Sequence, residues 1–217
     1  MRTSRPNIST NSPETASGGV AAHINPFRSI CIENLAFRWD AGDSLSALRA
    51  RLDALGRRAV LVGAKGSGKT TLLEALAGDL AGDVASAEHP LVWLRLHRDP
   101  ALTRQRVATF LATPVQHAWI CLDGLEQLGP WAWARVRRHA RAARGLIATS
   151  HHLGRLPLLR RHSTTPVLLQ NLVQELTGVV RPDVDVVWQQ LGGDVRACLA
   201  HYYRLSAGLP GLRPGSV

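Results

Sequence analysis

Lysine is nearly missing from this chain. Of its 26 lysines and arginines, only Lys65 and Lys69 are lysine. Every other such cation is arginine, so lysine occurs in one glycine-rich stretch and nowhere else. Long apolar runs are missing too: none approaches the roughly 20 residues that a membrane-crossing helix needs. The opening residues, MRTSRPNISTNSPETASGG, hold no apolar segment of the kind a secretory signal carries. Their Ser, Thr, Asn and Pro content predicts a disordered tail over 1–26. Cysteine is scarce. Cys31, Cys121 and Cys198 are odd in number, far apart and free of any C-x-x-C pattern, which argues against a disulfide framework and a zinc site. Reduced thiols and a cytoplasmic location are the expectation. Acidic residues vanish between Gln127 and Gln174.

The lysine-bearing stretch reads AVLVGAKGSGKTTLLEALAG, residues 59–78. Its centre fits G-x-x-x-x-G-K-[ST], the phosphate-binding loop. The apolar run 59–62 suits a strand buried on both faces. Glycines allow a tight turn that brings backbone N–H groups up to phosphate oxygens. The helix predicted from Thr70 onward aims its free N–H groups and positive dipole end at the same place. The nucleotide-binding set predicted by this pattern is Gly63, Ala64, Lys65, Gly66, Ser67, Gly68, Lys69, Thr70 and Thr71. Lys69 is expected to reach the β- and γ-phosphates, and the Thr70 hydroxyl to ligate Mg2+.

Around this stretch, strands and helices alternate. Strands are expected at 29–33, 59–62, 90–96, 117–122 and 146–149. Helices are expected from Ser44, a capping residue, to Gly56, then at 70–77, 103–112 and 131–144. From 166 onward the periodicity is helical alone, at 167–176, 184–191 and 194–205. The predicted fold class is therefore α/β: a three-layer P-loop NTPase with a mostly parallel central sheet and a small C-terminal helical cap. The expected organisation is a tail over 1–26, a core over 27–165, a helical lid over 166–206 and a second tail over 207–217.

A phosphate loop needs an acid to place its metal. Asp123 ends the apolar strand Trp119-Ile120-Cys121-Leu122, at the carboxyl end of a core strand, and is the candidate metal partner of Thr70. Glu126 lies three residues on and is the candidate for orienting or deprotonating the attacking water. Thr149, Ser150 and His151 end the next strand and are candidates for sensing the γ-phosphate. Arg196, in Gly193-Asp194-Val195-Arg196, is a candidate for reaching the γ-phosphate from the cap, either its own or a neighbour's.

With these residues the chain resembles the ASCE division of P-loop NTPases over roughly 56–206. Three branches each share a part. The stretch from ICIENLAF through the phosphate loop is similar to the opening of ABC ATPases, which implies adenine stacking by Phe37 or Trp39 and a switch role for His151. ICLDGLEQL resembles the Walker B segment of STAND-type and NACHT NTPases, with Glu126 as the second acid. LGGDVRACLAHYY is similar to the sensor-2 helix of AAA+ proteins, with Arg196 as its arginine. A compact AAA-like ATPase is the reading these likenesses imply. It carries with it ATP and Mg2+ as cofactors, hydrolysis to ADP and phosphate, and a protein partner or homo-oligomer. Arg160 or Arg161 would then be the candidate arginine finger. A slowly hydrolysing regulatory switch and a small-molecule or nucleotide kinase, with 155–161 as its arginine-bearing lid, are the alternatives.

The net charge of +10 favours polyanionic partners. The acid-free span carries Arg135, Arg137, Arg138, Arg141, Arg144, Arg155, Arg160 and Arg161. Spacing on the predicted helix 131–144 puts Arg137, Arg141 and Arg144 on one face. This basic region, Arg135 to Arg161, is the candidate surface for nucleic acid, with anionic lipid or an acidic protein as the other polyanions it fits. Trp131 and Trp133 are expected to pack into the core.

Overall fold

The computed structural model describes residues 25–28, 37, 43–82 and 90–212. The strand expected at 29–33 and the candidate stacking residue Trp39 lie outside the described residues. In order, the elements are α1 (Leu45–Ala54), β1 (Arg58–Gly63), α2 (Lys69–Gly82), β2 (Leu91–Arg95) and α3 (Pro100–Ala112). They continue with β3 (Trp119–Asp123), α4 (Pro130–His139), β4 (Gly145–Ser150), β5 (Leu158–His162), α5 (Pro166–Thr177), α6 (Val184–Gln190) and α7 (Val195–Ser206). Single 3-10 turns lie at Leu125–Gln127 and Ala140–Ala142.

The five strands form one sheet in the order β2-β3-β4-β1-β5, and all four pairings are parallel. Parallel neighbours require crossovers, and helices supply them on both faces. The two-residue period of a strand divides each one between two cores. Val60 and Val62 face Val107 and Phe110 of α3 and Trp133 and Val136 of α4. Ala59 and Leu61 face Leu52 of α1 and Leu72, Leu73 and Leu76 of α2. β3 splits likewise, with Ile120 and Leu122 in the first cluster and Trp119 and Cys121 in the second.

A third cluster lies within the C-terminal helices. Leu169, Leu172, Val173, Val184, Val187, Cys198, Leu199 and Tyr202 pack together there, joined by Phe27 from near the start of the chain. The Phe27 ring stacks on Tyr202 at 5.5 Å between centroids. Asn25 Nδ2 donates to the Tyr203 carbonyl at 2.8 Å. Asn25 belongs to the span expected as a disordered tail, yet it is fully buried.

Two elements differ from the sequence reading. The helix expected over 131–144 stops at His139. Arg58 reaches across from β1, and its Nη2 donates to the Ala140 carbonyl at 3.0 Å. The Arg144 amide bonds to Ala118 O at 2.9 Å, which turns the chain into β4. The proposed common helical face of Arg137, Arg141 and Arg144 is thereby broken. The second difference is β5, where no strand was expected. Its sequence, LLRRH, has only Leu159 fully buried, because a strand at the sheet edge keeps one side toward solvent and tolerates charge. The residues proposed as a kinase lid, 155–161, instead lead into and largely form this strand.

Candidate functional site

The site assembles where β1, β3 and β4 end at their carboxyl sides, the position where open parallel sheets present ligands. β1 delivers Gly63, and α2 starts at Lys69. Gly66 adopts a φ of +70° and Gly68 of +84°, conformations that side chains rarely take. The loop is closed by the Ser67 amide, which bonds to Ala64 O at 3.3 Å. Ala64, Lys65 and Thr71 are exposed, while Ser67 is buried with its Oγ unpartnered. The strand-edge neighbour presses closely: a Cβ on Gly63 would stand 2.6 Å from the carbonyl oxygen of His162.

Lys69 is almost wholly buried, and its Nζ donates to Gly63 O at 2.8 Å and Ala64 O at 2.6 Å. Burial holds the ammonium below the usual lysine range. The carboxylates of Glu126, Asp123 and Asp194 oppose that shift, and Arg196 adds to it. These four side chains, from two separate parts of the chain, therefore act on one buried cation.

Asp123 is the convergence point. Thr70 Oγ1 lies 3.2 Å from each of its carboxylate oxygens. Thr149 Oγ1 donates to Asp123 Oδ1 at 2.5 Å and accepts from the Gly124 amide at 2.9 Å. Thr149 is 1% exposed, so both capacities of its hydroxyl are used in a dry environment. Of the three candidates at and just beyond the end of β4, Thr149 is thus the one on the acid. Ser150 turns back on its own chain, its Oγ accepting from the His152 amide at 3.1 Å. His151 faces Glu126 instead, with Nδ1 3.6 Å from Oε1. Glu126 sits on the 3-10 turn after β3, and its Oε2 is shielded from solvent with no partner.

The C-terminal helices meet the loop through the start of α7. Asp194 caps that helix, Oδ1 accepting from the Ala197 amide at 3.0 Å, and the same carboxylate lies against Gly66. Thr164 Oγ1 donates to Gly193 O at 3.0 Å and fixes the approach to α7. The sequence singled out Arg196 but not Asp194. The signal available was an N-cap aspartate after a glycine pair, and it announces a helix start rather than a contact.

Phe37 meets His162 edge-on at 5.1 Å, placing it beside the strand that abuts Gly63. Arg160 is engaged by Asp43 and is only 12% exposed, while Arg161 is exposed on the same strand. Arg155 Nη1 donates to Leu125 O at 3.2 Å and braces the turn that carries Glu126. Among the described residues, no group of three or more His, Cys, Asp or Glu side chains is placed to hold a metal. The oxygen pair of Thr70 and Asp123 suits a hard cation that keeps water or phosphate in its remaining positions. No described helix is long and apolar enough to cross a membrane.

No family model matches the chain, and no curated protein is similar to it in sequence. Among solved structures it is similar to the RuvB Holliday junction branch migration motor of Thermotoga maritima. That match has a TM-score of 0.50 and 16% identity, over 74% of this chain and 59% of that one. It is also similar to PCH-2 of C. elegans, with a TM-score of 0.42 and 12% identity, over 75% of this chain and 66% of that one. The chain spans about three fifths of the length of the first of these. The likeness and the all-parallel sheet agree on the fold: the three-layer α/β architecture of a P-loop NTPase, with helices following the sheet at the C-terminal end.

Proposed function

We propose that this protein binds ATP with Mg2+ and hydrolyses it to ADP and phosphate, and that nucleotide state moves the C-terminal helices as a lid. The observation that carries the proposal is the meeting of Thr70, Asp123 and Thr149 beside the buried Lys69. Glycines at positive φ and a buried, unpartnered Ser67 hydroxyl fit a loop made to receive phosphate oxygens. Thr70 and Asp123 are the residues that would hold Mg2+, which supplies charge neutralisation at the phosphates.

In this reading, water attacks the γ-phosphorus, and the bond from that phosphorus to the β–γ bridging oxygen breaks. Lys69 and the loop N–H groups meet the charge that develops on the phosphate oxygens. Glu126 orients the water and takes its proton. Thr149 keeps Asp123 in one rotamer, and Arg196 reads the γ-phosphate from the lid. Phe37, next to His162, is the aromatic available to stack on an adenine ring. The Asp194 contact with Gly66 links loop and lid without any intermediate residue.

The test is phosphate release from ATP by the purified protein with Mg2+, with Asp123→Ala as control, alongside ATP binding by wild type and Lys69→Ala. Unchanged ATP affinity in Lys69→Ala refutes the clamp. The 3.6 Å approach of His151 to Glu126 favours a second reading, a slowly hydrolysing switch, because one oxygen of the acid faces an imidazole. Tight ATP binding with turnover far below the enzyme median of about 10 per second distinguishes it.

A further inference from the structure

The solvent side of α4 carries a tryptophan that the fold does not use. Trp131 is 87% exposed, whereas Trp133, two residues on, is buried in the core beneath the sheet. The expectation that both tryptophans pack inside fails for Trp131. Helical geometry explains the split: Trp133, Val136 and Ala140 line the buried side, and at 100° per residue Trp131 points the other way. Arg135 and Arg138 stand at i+4 and i+7 from Trp131, along the middle of that outer side. Arg137 lies to one side of it, and Arg141 follows on the Ala140–Ala142 turn beyond the end of α4.

These four arginines are exposed, and their guanidinium groups make no ion pair among the described residues. No acid lies within the chain from 127 to 174 to neutralise them. An exposed aromatic plane in line with unpaired guanidinium groups matches two repeating features of one polymer, a flat base and a phosphate. We propose that this surface, Trp131 with Arg135, Arg137 and Arg138 of α4 and Arg141 on the turn that follows, is a binding surface for single-stranded nucleic acid.

Charge complementarity selects a polyanion, and the single aromatic selects among polyanions. A helix lying in a lipid surface needs a broad apolar face. The apolar face of α4 is already spent on the core, and Trp131 is its only large exposed apolar residue. A duplex keeps its bases stacked internally, so it offers the arginines phosphates but offers Trp131 nothing. An unpaired strand satisfies both. Contacts of this kind read no particular sequence. The surface connects to the nucleotide site through a short path: α4 follows the Leu125–Gln127 turn that carries Glu126.

The test measures binding of a fluorescently labelled oligo(dT) by anisotropy, without nucleotide, across a range of salt concentrations. Its outcome is therefore independent of whether ATP is hydrolysed, and Lys69→Ala should bind the oligonucleotide as wild type does. Trp131→Ala is expected to weaken binding about tenfold or more. The double variant Arg135→Ala/Arg138→Ala is expected to lower the log–log salt slope by about 1.4, at roughly 0.7 per lost phosphate contact. All three side chains are exposed, and unchanged melting temperatures establish that the variants fold. Wild-type binding in both variants overturns the proposal, as does absence of binding at low salt. Duplex bound as tightly as oligo(dT), with no dependence on Trp131, also overturns it. Trp131-dependent binding to phosphatidylserine vesicles without oligo(dT) binding overturns it in favour of a lipid surface.

Discussion

The Asp194 carboxylate occupies the space that a side chain on Gly66 would need. A Cβ built on Gly66 overlaps Asp194 Oδ1 and comes within 2.5 Å of its Cγ. The phosphate loop and the cap of α7 are therefore shaped to each other. The carboxylate is also one of the charges acting on Lys69. A residue belonging to the C-terminal helices thus forms part of the loop's wall.

Gly66→Ala should be costly for two separable reasons. Its φ of +70° penalises any Cβ by about 1–2 kcal/mol. The overlap with Asp194 then displaces the start of α7. Thermal melting should fall by several degrees in this variant, at about 2–4 °C per kcal/mol for a chain of this size. Combining it with Asp194→Ala should cost less than the sum of the two single losses, since the clash is removed. Strict additivity in a double-mutant cycle would contradict the contact.

Thr149→Val keeps the shape of the side chain and removes its hydroxyl. It strips one donor from Asp123 and leaves the Gly124 amide without its acceptor. A stability loss of about 1–3 kcal/mol is expected in urea denaturation. ATP hydrolysis should drop with ATP affinity changing less, because Asp123 loses its orientation while the loop stays intact. Thr149→Ser, which retains the hydroxyl, should restore both.

Glu126 and His151 should move turnover in opposite directions. Glu126→Gln removes the proton acceptor and is expected to slow single-turnover hydrolysis by about a hundredfold or more, with ATP still bound. His151→Ala frees Glu126 from its 3.6 Å neighbour and should raise the rate. A rate that falls in both variants would mean that His151 supports Glu126 rather than restrains it.

Alkaline pH should destabilise the fold, and two buried thiols set where. Desolvation by burial pushes Cys121 up to about 12 and Cys198 up to about 11, from an ordinary value of 9. Above pH 9 the unfolded chain releases those protons while the folded chain keeps them, so stability falls as pH rises. From about pH 9 upward both thiols lower stability as pH rises, and Tyr202, whose phenol burial also pushes up, adds to the fall above about pH 10. Lys69, held low by burial, acts with the opposite sign and offsets part of it. Cys121→Ala should flatten the fall by about half of the thiol term, as read from denaturant midpoints across that range.

The parts of the site that were legible in the sequence are those written in short-range pattern. The phosphate loop and Asp123 each follow an apolar run, and strand ends in a parallel sheet have one outlet. What escaped depends on contacts between distant segments. β5 reads as a basic run because an edge strand keeps one side wet. The end of α4 is set by Arg58 from β1, which no helical periodicity within 131–144 encodes. Trp131 and Trp133 look equivalent in sequence, and only the rotation of α4 against the sheet separates them. Glu126 and His151 were both singled out, but their proximity follows from β3 and β4 lying side by side.

The third core cluster draws on both extremes of the described chain. During synthesis, Phe27 emerges long before Leu169, Val187 or Tyr202 exists to receive it. Its ring stays in water while the sheet assembles, and it is sequestered only when the last helices arrive. The packing of α5, α6 and α7 is therefore completed by a contact of very long sequence separation, the kind that forms late and slowly. Until that moment an incomplete chain leaves this aromatic, and the pocket that takes it, open to water.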